Sequence, residues 1–454
     1  MVSTNEDLKH NFEKIIRKAK SQQKIDWEKI SIPNEFKEYD DTKEDVGAAE
    51  TKNLLRKIAI VKLNGGLGTS MGCCGPKSML RVRGEDSFLS LIVKQIKNLN
   101  DTYNVDIPFC LMNSLNTDDD TKGELSRIDE DITLEHFMQS TYPRLQPNTF
   151  EPLRTGEYSK ENAKFWYPPG HGDLYFALKR SGVLRRLKDR GIEYLFVSNV
   201  DNLGATMDLR ILNHIVDHRI DFLMEVTKKT LLDVKGGTVV CYEDQLMLLE
   251  AAQVEEQYMD QFQSIDKFKV FNTNNIWLSV DALQQTKHID LPVIFNKKKI
   301  DNLIDVVQLE TAMGAALNSF PNSNVLCVPR SRFIPVKKTS DLFLLRSNLY
   351  NIDRSTGSVS RRDPSKQLPI IRFSPQEYQH LKDFESRFPS GIPDISRLSD
   401  LSIRGNIVMN GDCVLQGKLL FDNQRNNKLL LEDQLFIDKD YIYTNNNTSI
   451  DVKK

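Results

Sequence analysis

The chain of 454 residues is poor in cysteine: it has six, and they are scattered along the sequence. Scattered thiols in a chain of this length indicate reduced side chains rather than a disulfide framework. Because no two cysteines have the C-x-x-C spacing, a cysteine zinc site is not expected. The adjacent Cys73 and Cys74 are interpreted as small filling side chains, since no histidine stands near them in sequence.

An excess of charge of one sign is also absent, because 61 Lys and Arg residues face 63 Asp and Glu residues. This balance provides no basic face of the kind that drives nucleic-acid binding, so we expect no nucleic-acid partner. No apolar run approaches the ~20 residues of a membrane span, and the polar N-terminus 1–7 does not resemble a signal peptide. We therefore expect a soluble cytoplasmic protein with no membrane partner.

Glycine, in contrast, is concentrated in one segment, VKLNGGLGTSMGCCGPKS at 61–78, which follows the apolar residues 58–61. The apolar run predicts a buried strand, and the glycines let the backbone turn sharply and approach a ligand. Backbone amides and Lys77 would then meet phosphate oxygens. The spacing matches neither a Walker A loop nor the dinucleotide-binding G-x-G-x-x-G. A glycine-rich turn that binds nothing is the alternative, and the density of glycines before Pro-Lys-Ser disfavours it.

Seven sequence blocks together resemble the eukaryotic-type UTP–glucose-1-phosphate uridylyltransferases, also called UDP-glucose pyrophosphorylases. The glycine-rich segment is the first of them. The others follow in family order: WYPPGHGD at 166–173, VSNVDNLG at 197–204, DVKGGT at 233–238, FNTNN at 271–275, QLETA at 308–312 and PRSRFIPVK at 329–337. The resemblance implies a nucleotidyltransferase that moves UMP from UTP to glucose 1-phosphate and releases pyrophosphate.

The hydrophobic pattern predicts an α/β fold with more than one part, because the chain exceeds a single ordinary core. Over 46–338 short apolar strands alternate with amphipathic helices, as in a largely parallel sheet. The resemblance makes this region a Rossmann-like, GT-A-like nucleotidyltransferase domain with a mixed, mostly parallel sheet. Residues 1–45 are predicted to be an N-terminal extension that packs on it, and 339–454 a linker and a C-terminal domain.

The C-terminal region has glycines at six-residue spacing, at Gly405, Gly411 and Gly417. This spacing suggests the turns of a short parallel β-helix, with an ordinary small sheet as the alternative. The family resemblance favours the β-helix and implies a homo-oligomer formed through it. The polar stretch 353–367 before it is interpreted as a surface loop or linker.

Local signals place several elements around the glycine-rich segment. Ser87 is predicted to cap a helix that begins at Phe88, and Asp173 to cap a helix that runs through Leu187. A strand over 194–200 leads into Asp201. Because ligands of open α/β sheets bind beyond the carboxyl ends of strands, the ends before Gly65 and Asp201 should converge on one crevice.

Nucleotidyl transfer is an in-line displacement in which a sugar phosphate oxygen attacks the α-phosphorus of UTP. The protein must supply positive charge, amides and a divalent ion rather than a base or a covalent nucleophile. The resemblance implies that Lys77 and Lys337 are the catalytic lysines and that Asp201 binds Mg²⁺, an ion that takes one or two carboxylates plus substrate phosphates. The alternatives are an exposed lysine for Lys77 and a helix-cap or turn aspartate for Asp201.

The resemblance also implies a set of substrate-binding residues. Gln139 would read uracil, since its amide offers both a donor and an acceptor. His171 would contact substrate, with a structural histidine as the alternative. The remaining members are Leu63, Asn64, Gly65 and Gly66 in the nucleotide loop, Gly170 beside the histidine, and a sugar-side group of Asn199, Gly237, Glu250 and Asn275.

Other hypotheses are weaker. A pyrophosphorylase for UDP-N-acetylhexosamine or for several UDP-sugars is disfavoured because related N-acetylhexosamine enzymes usually carry arginine where this chain has Thr-Ser-Met at 69–71. The glycine spacing disfavours a hydride-transferring dinucleotide enzyme. The lysines and the aspartate named above disfavour a non-catalytic UDP-sugar-binding scaffold. His214 and His218 lie four apart on a predicted helix, but without a third ligand nearby they are interpreted as a solvated helix face.

Overall fold

The computed structural model describes residues 5–22, 24–33, 35–42, 47–128, 131–230, 233–234, 236–444 and 447–451. The predicted boundary between residues 45 and 46 lies outside the described residues. In the part that is described, no helix combines the length and the apolar composition needed to cross a membrane.

Eight strands among the described residues form one central sheet. In sheet order they are Lys37–Glu38, Ser323–Cys327, Phe222–Lys228, Val270–Ser279, Tyr194–Asn199, Ile58–Asn64, Phe109–Asn113 and Leu134–Met138. Val270–Ser279 is antiparallel to both neighbours, and the other neighbouring pairs are parallel. The predicted α/β class with a mixed, mostly parallel sheet is therefore confirmed.

The strand Ile58–Asn64, called the glycine-loop strand below, is buried along its whole length. Successive side chains of a strand point to opposite faces of the sheet. Ile58 and Ile60 accordingly pack in one hydrophobic cluster, and Ala59 and Val61 pack in another on the opposite face. Burial on both faces explains why residues 58–61 of this strand are continuously apolar rather than alternating.

Helices cover both faces of the sheet. Those in the part of the chain before the C-terminal sheets are Asn5–Ser21, Ala48–Leu55, Phe88–Tyr103, Asp118–Leu125, Leu174–Arg180, Val183–Asp189, Leu209–Asp217, Met259–Gln263, Val280–Gln285 and Thr339–Arg346. The predicted cap at Ser87 is confirmed, because its hydroxyl oxygen accepts a hydrogen bond from the Ser90 amide at 3.1 Å.

The predicted helix from Asp173 through Leu187 is wrong in two respects. Gly182, with φ of 74°, separates two short helices, since a left-handed residue cannot continue a right-handed helix. The Asp173 carboxylate does not cap the first of them. It instead accepts hydrogen bonds from the amide of Ser140 at 2.6 Å and from its hydroxyl at 2.9 Å.

Smaller sheets surround the central one. One has three strands, with Thr238–Tyr242 between Ile30–Ser31 and Gln245–Leu249. The others are two-stranded: Arg81–Arg83 with Asp86–Ser87, Tyr142–Pro143 with Trp166–Tyr167, Val293–Ile300 with Ile304–Thr311, and Tyr350–Ile352 with Val359–Arg361. The last of these pairs lies partly within 353–367. The linker predicted there is therefore wrong in part, because Val359–Arg361 is the second strand of a hairpin.

The C-terminal region contains two helices, Pro375–Tyr378 and Leu381–Arg387, which follow its first strand. The chain then passes repeatedly between two sheets. One sheet contains Ile370–Phe373, Asp394–Arg404, Val414–Asn423, Leu435–Thr444 and Asn447–Asp451, and the other contains Ile407–Asn410 and Leu429–Glu432. All these pairings are parallel except the last strand of the first sheet. This alternation of parallel strands is the predicted β-helix-like arrangement.

The three glycines at six-residue spacing were expected to mark successive turns of the β-helix. They instead lie within one coil of this arrangement. Each glycine has a positive φ and faces a residue of the following coil. A side chain at Gly405, with φ of 77°, would strike the carbonyl oxygen of Asn423. Gly411 and Gly417 face Asp433 and Asp438 in the same way.

One hydrophobic cluster extends from the central sheet into the C-terminal sheets. It includes Ile60 and Phe109 of the central sheet, Phe343 of the helix Thr339–Arg346, and Phe421 of the C-terminal sheet. The two parts therefore share a packed core. The domain boundary between residues 338 and 339 stays a prediction, and it coincides with the start of that helix.

Candidate active site

Two strand ends meet at one edge of the central sheet. The glycine-loop strand pairs in parallel with Tyr194–Asn199, and Leu63 lies opposite Asn199. Gly65 follows the first strand and Asp201 the second, so both lie at the carboxyl edge where open α/β sheets bind ligands. The Lys77 ammonium is 2.6 Å from the Asp201 carboxylate, and their side chains are only 15% and 14% exposed.

The glycine-rich loop folds back on itself so that Lys77 returns to the strand end. The Lys77 amide donates to the Gly66 carbonyl at 3.3 Å, and the Cys73 amide donates to the Gly68 carbonyl at 3.0 Å. A Cβ atom on Gly66 would meet nothing within 4 Å, so the backbone there borders open space. Its amide can therefore approach a ligand closely, as a phosphate cradle requires.

The two cysteines of this loop have different surroundings. Cys73 packs against Gly68, where an added Cβ would lie 2.7 Å from the Cys73 Cβ. Cys74 is exposed. The interpretation as filling side chains therefore holds for Cys73 and is wrong for Cys74, because the loop turns its second thiol outward.

Gln139 lies against the first glycine of the loop. A side chain on Gly65 would collide with the Gln139 amide nitrogen and come within 3.0 Å of its Cδ. Nearby, the side-chain nitrogen of Asn64 donates to Asn113 and Thr121 at 2.8 Å each, and its Oδ1 is buried with no hydrogen-bond partner among the described residues. The Gln139 amide therefore lies at the first glycine of the loop, with the donor and acceptor that recognition of a base edge requires.

His171 is held in one tautomer by the backbone. Its Nδ1 accepts a hydrogen bond from the Met313 amide at 3.0 Å, so the proton of the neutral ring is on Nε2. Burial lowers the pKa of His171 to about 4, which keeps the ring uncharged at neutral pH. The preceding Gly170 has φ of 84°, and a Cβ there would lie 2.9 Å from the Thr311 carbonyl oxygen.

The hydrogen bonds between Asp173 and Ser140 connect the histidine turn with Gln139, which precedes Ser140 in the chain. Burial raises the pKa of Asp173 to about 7, and the hydrogen bonds from Ser140 oppose that rise. Asp173 was predicted to cap a helix, and its link to Ser140 was not expected from the sequence. Only the three-dimensional fold brings these two blocks together.

A cavity of about 570 Å³ opens beside this edge, between the central sheet and the C-terminal region. Lys337, Glu250 and Gly237 line it, as do Arg330 and Arg361. Burial raises the pKa of Glu250, and the charge of Lys337 opposes that shift. A Cβ on Gly237 would lie 2.6 Å from a Glu250 carboxylate oxygen. The structure thus groups Lys337 with two of the predicted sugar-side residues, Gly237 and Glu250.

Asn275 is not on the surface of this cavity. It is fully buried, and its amide nitrogen donates to Glu225 at 3.0 Å. Asn272 and Asn274 of the same FNTNN block line the cavity instead. Asn199 is partly exposed at the end of its strand. A direct sugar contact by Asn275 stays a prediction, and its present bonds give it a structural position beneath the site.

A network of buried charges lies below the two strand ends. Arg332 makes a two-pronged contact with Glu225, at 2.8 and 2.6 Å, and a bond to Asp208 at 3.3 Å. Trp277 donates to the same glutamate at 2.8 Å. The sequence gives no local sign of this network, although Arg332 lies in one of the family-like blocks.

Lys62 belongs to the same buried region. Its ammonium donates to the Ser198 hydroxyl and the Ala205 carbonyl, at 2.7 Å each. Burial lowers the pKa of Lys62 to about 7, and the positive charge of Arg332 lowers it further. A lysine inside an otherwise apolar strand was the available signal, because such a charge has to find partners inside the fold.

We expect Arg332→Leu to destabilise the fold strongly. The change leaves the carboxylate of Glu225 buried with its main cationic partner removed, a loss of about 3–5 kcal/mol in unfolding free energy. Urea denaturation checks this. Arg372→Ala, which breaks the more exposed pair with Asp400 at 2.8 Å, should change stability by about 0–1 kcal/mol. Equal losses of unfolding free energy in the two variants would contradict the larger contribution to stability that we assign to the buried Arg332–Glu225 pair.

The two histidines at 214 and 218 were expected to form a solvated helix face, and this prediction is wrong. His214 is buried, since the helix Leu209–Asp217 turns it inward, and burial lowers its pKa to about 4. His218 is exposed, and its ring is tilted by 54° against that of His214, with the ring centres 4.3 Å apart. Neither belongs to a group of three potential metal ligands in the part of the chain that the structure describes.

The open α/β sheet, the glycine-rich loop and the lysine–aspartate pair at adjacent strand ends define an α/β nucleotide-binding protein. Comparison with known proteins identifies the family. The family model for UTP–glucose-1-phosphate uridylyltransferase matches residues 6–416. The chain therefore belongs to this family of nucleotidyltransferases.

Individual relatives agree with this assignment. The chain is 42% identical to a UTP–glucose-1-phosphate uridylyltransferase of Pyrus pyrifolia over 448 residues, covering 95% of this chain and 93% of the relative. It is 42% identical to UTP–glucose-1-phosphate uridylyltransferase 2 of Dictyostelium discoideum over 403 residues, with coverages of 87% and 79%. The chain also resembles a solved structure, that of an L281D mutant of UDP-glucose pyrophosphorylase from Leishmania major in complex with UDP-glucose. The two superpose with a TM-score of 0.84 at 31% sequence identity, and the match covers 94% of this chain and 93% of the Leishmania chain.

Proposed function

We propose that the chain catalyses the reversible, Mg²⁺-dependent transfer of UMP from UTP to glucose 1-phosphate, with UDP-glucose and pyrophosphate as the products. The observation that carries the proposal is the Lys77–Asp201 pair at 2.6 Å, set beside the open glycine-rich loop at the carboxyl edge of the sheet. The names of the relatives and the UDP-glucose complex of the Leishmania major protein support the same substrates.

The proposed reaction is a direct displacement. A phosphate oxygen of glucose 1-phosphate forms a bond to the α-phosphorus of UTP, and the bond from that phosphorus to the bridging oxygen of pyrophosphate breaks. The attacking oxygen is already ionised at neutral pH, so no general base is required. Lys77 in the loop and Lys337 beside the cavity would neutralise the negative charge that collects as two polyanions meet.

The residues at the strand ends fit Mg²⁺. No group of three or more His, Cys, Asp and Glu side chains that could hold a metal is found within the described ranges. Mg²⁺ does not need such a cage, because it typically takes one or two carboxylates and completes its shell with substrate phosphates and water. We propose that Asp201 is the carboxylate. When bound, the ion would neutralise phosphate charge between the two substrates.

His171 and Asn64 would contact substrate through defined polar groups. The neutral His171 ring can donate from Nε2, since Nδ1 is occupied by the Met313 amide. The Oδ1 of Asn64, which has no hydrogen-bond partner in the described part of the chain, would accept a hydrogen bond from substrate. Leu63, Gly65, Gly66 and Gly170 would shape the same pocket through their backbone, and the sugar would enter the cavity lined by Gly237 and Glu250.

The purified chain tests this proposal directly. We expect pyrophosphate release from UTP in the presence of Mg²⁺ and glucose 1-phosphate, and UDP-glucose as the product in a chromatographic assay. A panel of other sugar 1-phosphates distinguishes the glucose enzyme from a UDP-N-acetylhexosamine or broad UDP-sugar pyrophosphorylase. Binding of UDP-glucose without turnover would instead indicate the scaffold hypothesis. Self-association through the C-terminal sheets stays a prediction.

Base choice should depend on Gln139. Uracil presents a donor between two acceptors, so a pocket built for it leaves polar groups unpaired with cytosine or adenine, at about 1–3 kcal/mol per group. We expect UTP to be preferred over CTP and ATP, and Gln139→Ala to narrow that preference in kcat/KM. Gln95→Ala is a control, because that amide bonds to the Gly357 carbonyl at 2.9 Å. Equal use of UTP and ATP by the unmodified chain would refute the uridine assignment.

A further inference from the structure

Asn202 follows Asp201 and is almost completely buried, with 1% of its surface exposed. All four hydrogen-bonding positions of its side-chain amide are occupied. The oxygen accepts from the amides of Ile334 at 2.8 Å and Gly204 at 3.2 Å. The nitrogen donates to the Arg332 carbonyl at 3.1 Å and to Asn275 at 3.4 Å. The residue thus joins its own turn to a segment 130 positions later in the chain.

That segment, 332–338, runs antiparallel beside the Asp201 turn and ends at Lys337 and Lys338. Asn202 forms a β-bridge with Pro335, and the Val336 amide donates to the Asp201 carbonyl at 3.2 Å. One residue further, the amide of Lys337 donates to Asp341 at 2.8 Å. The segment is therefore held first by the turn that carries Asp201 and then by the helix Thr339–Arg346.

The geometry points to Asn202 as a positioning residue that fixes Lys337 relative to Asp201, and this inference rests on the function proposed above. The two strand ends alone do not determine where Lys337 lies, since it belongs to a different part of the chain. The side chain of Asn202 provides two of the bonds that hold the segment, at Arg332 and Ile334, and its backbone provides the bridge to Pro335. It has no need to touch substrate to act.

Asn202→Ala removes these side-chain bonds, which leaves the Ile334 amide unpaired among the described residues and the Arg332 carbonyl with only the longer bond from Asn275 at 3.4 Å. We expect kcat to fall about a hundredfold, because displacement of a catalytic group by about 1 Å has an effect of that size. We expect KM for UTP to change less than about threefold, since the glycine-rich loop stays intact. Hydrogen exchange of a peptide covering 332–338 should become faster, which reports the segment independently of activity.

Asn423→Ala is the matched control. Asn423 is also buried, and its side chain makes three hydrogen bonds, to the carbonyls of Asn406 and Asn427 and from the Arg425 amide. It lies in the C-terminal sheet, away from the strand ends. We expect a comparable loss of thermal stability with kcat reduced less than about twofold. If Asn202→Ala does not fold, Asn202→Ser keeps one acceptor and should give an intermediate effect in the same assays.

A double-mutant cycle with Lys337→Ala decides the inference. If Asn202 acts through Lys337, adding Asn202→Ala to Lys337→Ala should lower kcat by less than about threefold further. Equal effects in both backgrounds, or unchanged exchange over 332–338, would overturn the role of Asn202 alone. An inactive wild-type chain would overturn the proposed function itself. A harmless Lys337→Ala would remove the basis of both the lysine assignment and this inference.

Discussion

We expect Asp201→Asn to lower the Mg²⁺-dependent kcat by roughly a thousandfold. This is the upper end of the range for loss of one preorganised electrostatic group. The amide keeps the shape of the side chain and removes its charge. Because Asp201 faces Lys77 across 2.6 Å at the strand end, the change removes the proposed Mg²⁺ ligand and the partner of the lysine at once. The measurement is kcat as a function of Mg²⁺ concentration, with chelator added to the unmodified chain as a reference.

Asp400→Asn is the control for this experiment. Asp400 is also ion-paired, with Arg372 at 2.8 Å, but it lies in the C-terminal sheet. It should retain full activity at every Mg²⁺ concentration. Wild-type kcat in Asp201→Asn at low Mg²⁺ would exclude Asp201 from the metal site. Activity of the unmodified chain in excess chelator would exclude a divalent ion from the mechanism altogether.

The sheet edge that carries this site could be predicted from the sequence because its signals are local. The apolar residues 58–61 lead into glycines, and 194–200 leads into Asp201, so each strand end can be recognised from a few neighbouring residues. The topological rule for open sheets then brings the two ends together. The structure agrees: the strands pair directly, and the lysine of the loop reaches the aspartate.

What could not be predicted depends on contacts between distant parts of the chain. The hydrogen bonds of Asp173 connect it with Ser140, which lies 33 residues earlier, and nothing near either residue indicates the other. Asn202 and Ile334 are 132 residues apart. The family resemblance made Asn275 a sugar contact, and the four-residue spacing placed His214 on a solvated helix face, but both side chains are buried. Burial is a property of packing, so local sequence did not decide it.

The C-terminal glycines show a different limit. Their six-residue spacing correctly indicated parallel coils, but a period in sequence does not reveal which positions stack. The register aligns Val414 with Leu435 and Ile407 with Leu429, so each coil is much longer than six residues. Gly405, Gly411 and Gly417 are therefore positions within one coil, where a side chain would strike the next one.

Lys77 and Lys337 are expected to be the two most damaging single lysine losses, for different structural reasons. Lys77 belongs to the nucleotide loop and is largely covered beside Asp201. Lys337 is exposed at the cavity between the central sheet and the C-terminal region. Its positive charge opposes the rise that burial causes in the pKa of Glu250, which lines the same cavity. If each lysine stabilises charge that develops during displacement, its replacement by alanine should lower kcat about a hundredfold to a thousandfold.

Lys338→Ala is a closely matched control for Lys337→Ala and should lower kcat less than about threefold, an effect too small for loss of a group that meets transition-state charge. Both residues line the same cavity, both are exposed, and both donate their backbone amides to Asp341, at 2.8 and 3.0 Å. They therefore differ mainly in where the side chain points along the segment held by Asn202. The comparison uses kcat of all three alanine variants after thermal unfolding has established that each is folded. Equal harm from Lys338→Ala would mean that the catalytic lysine is misassigned by one position, and three active variants would refute electrostatic catalysis by these lysines.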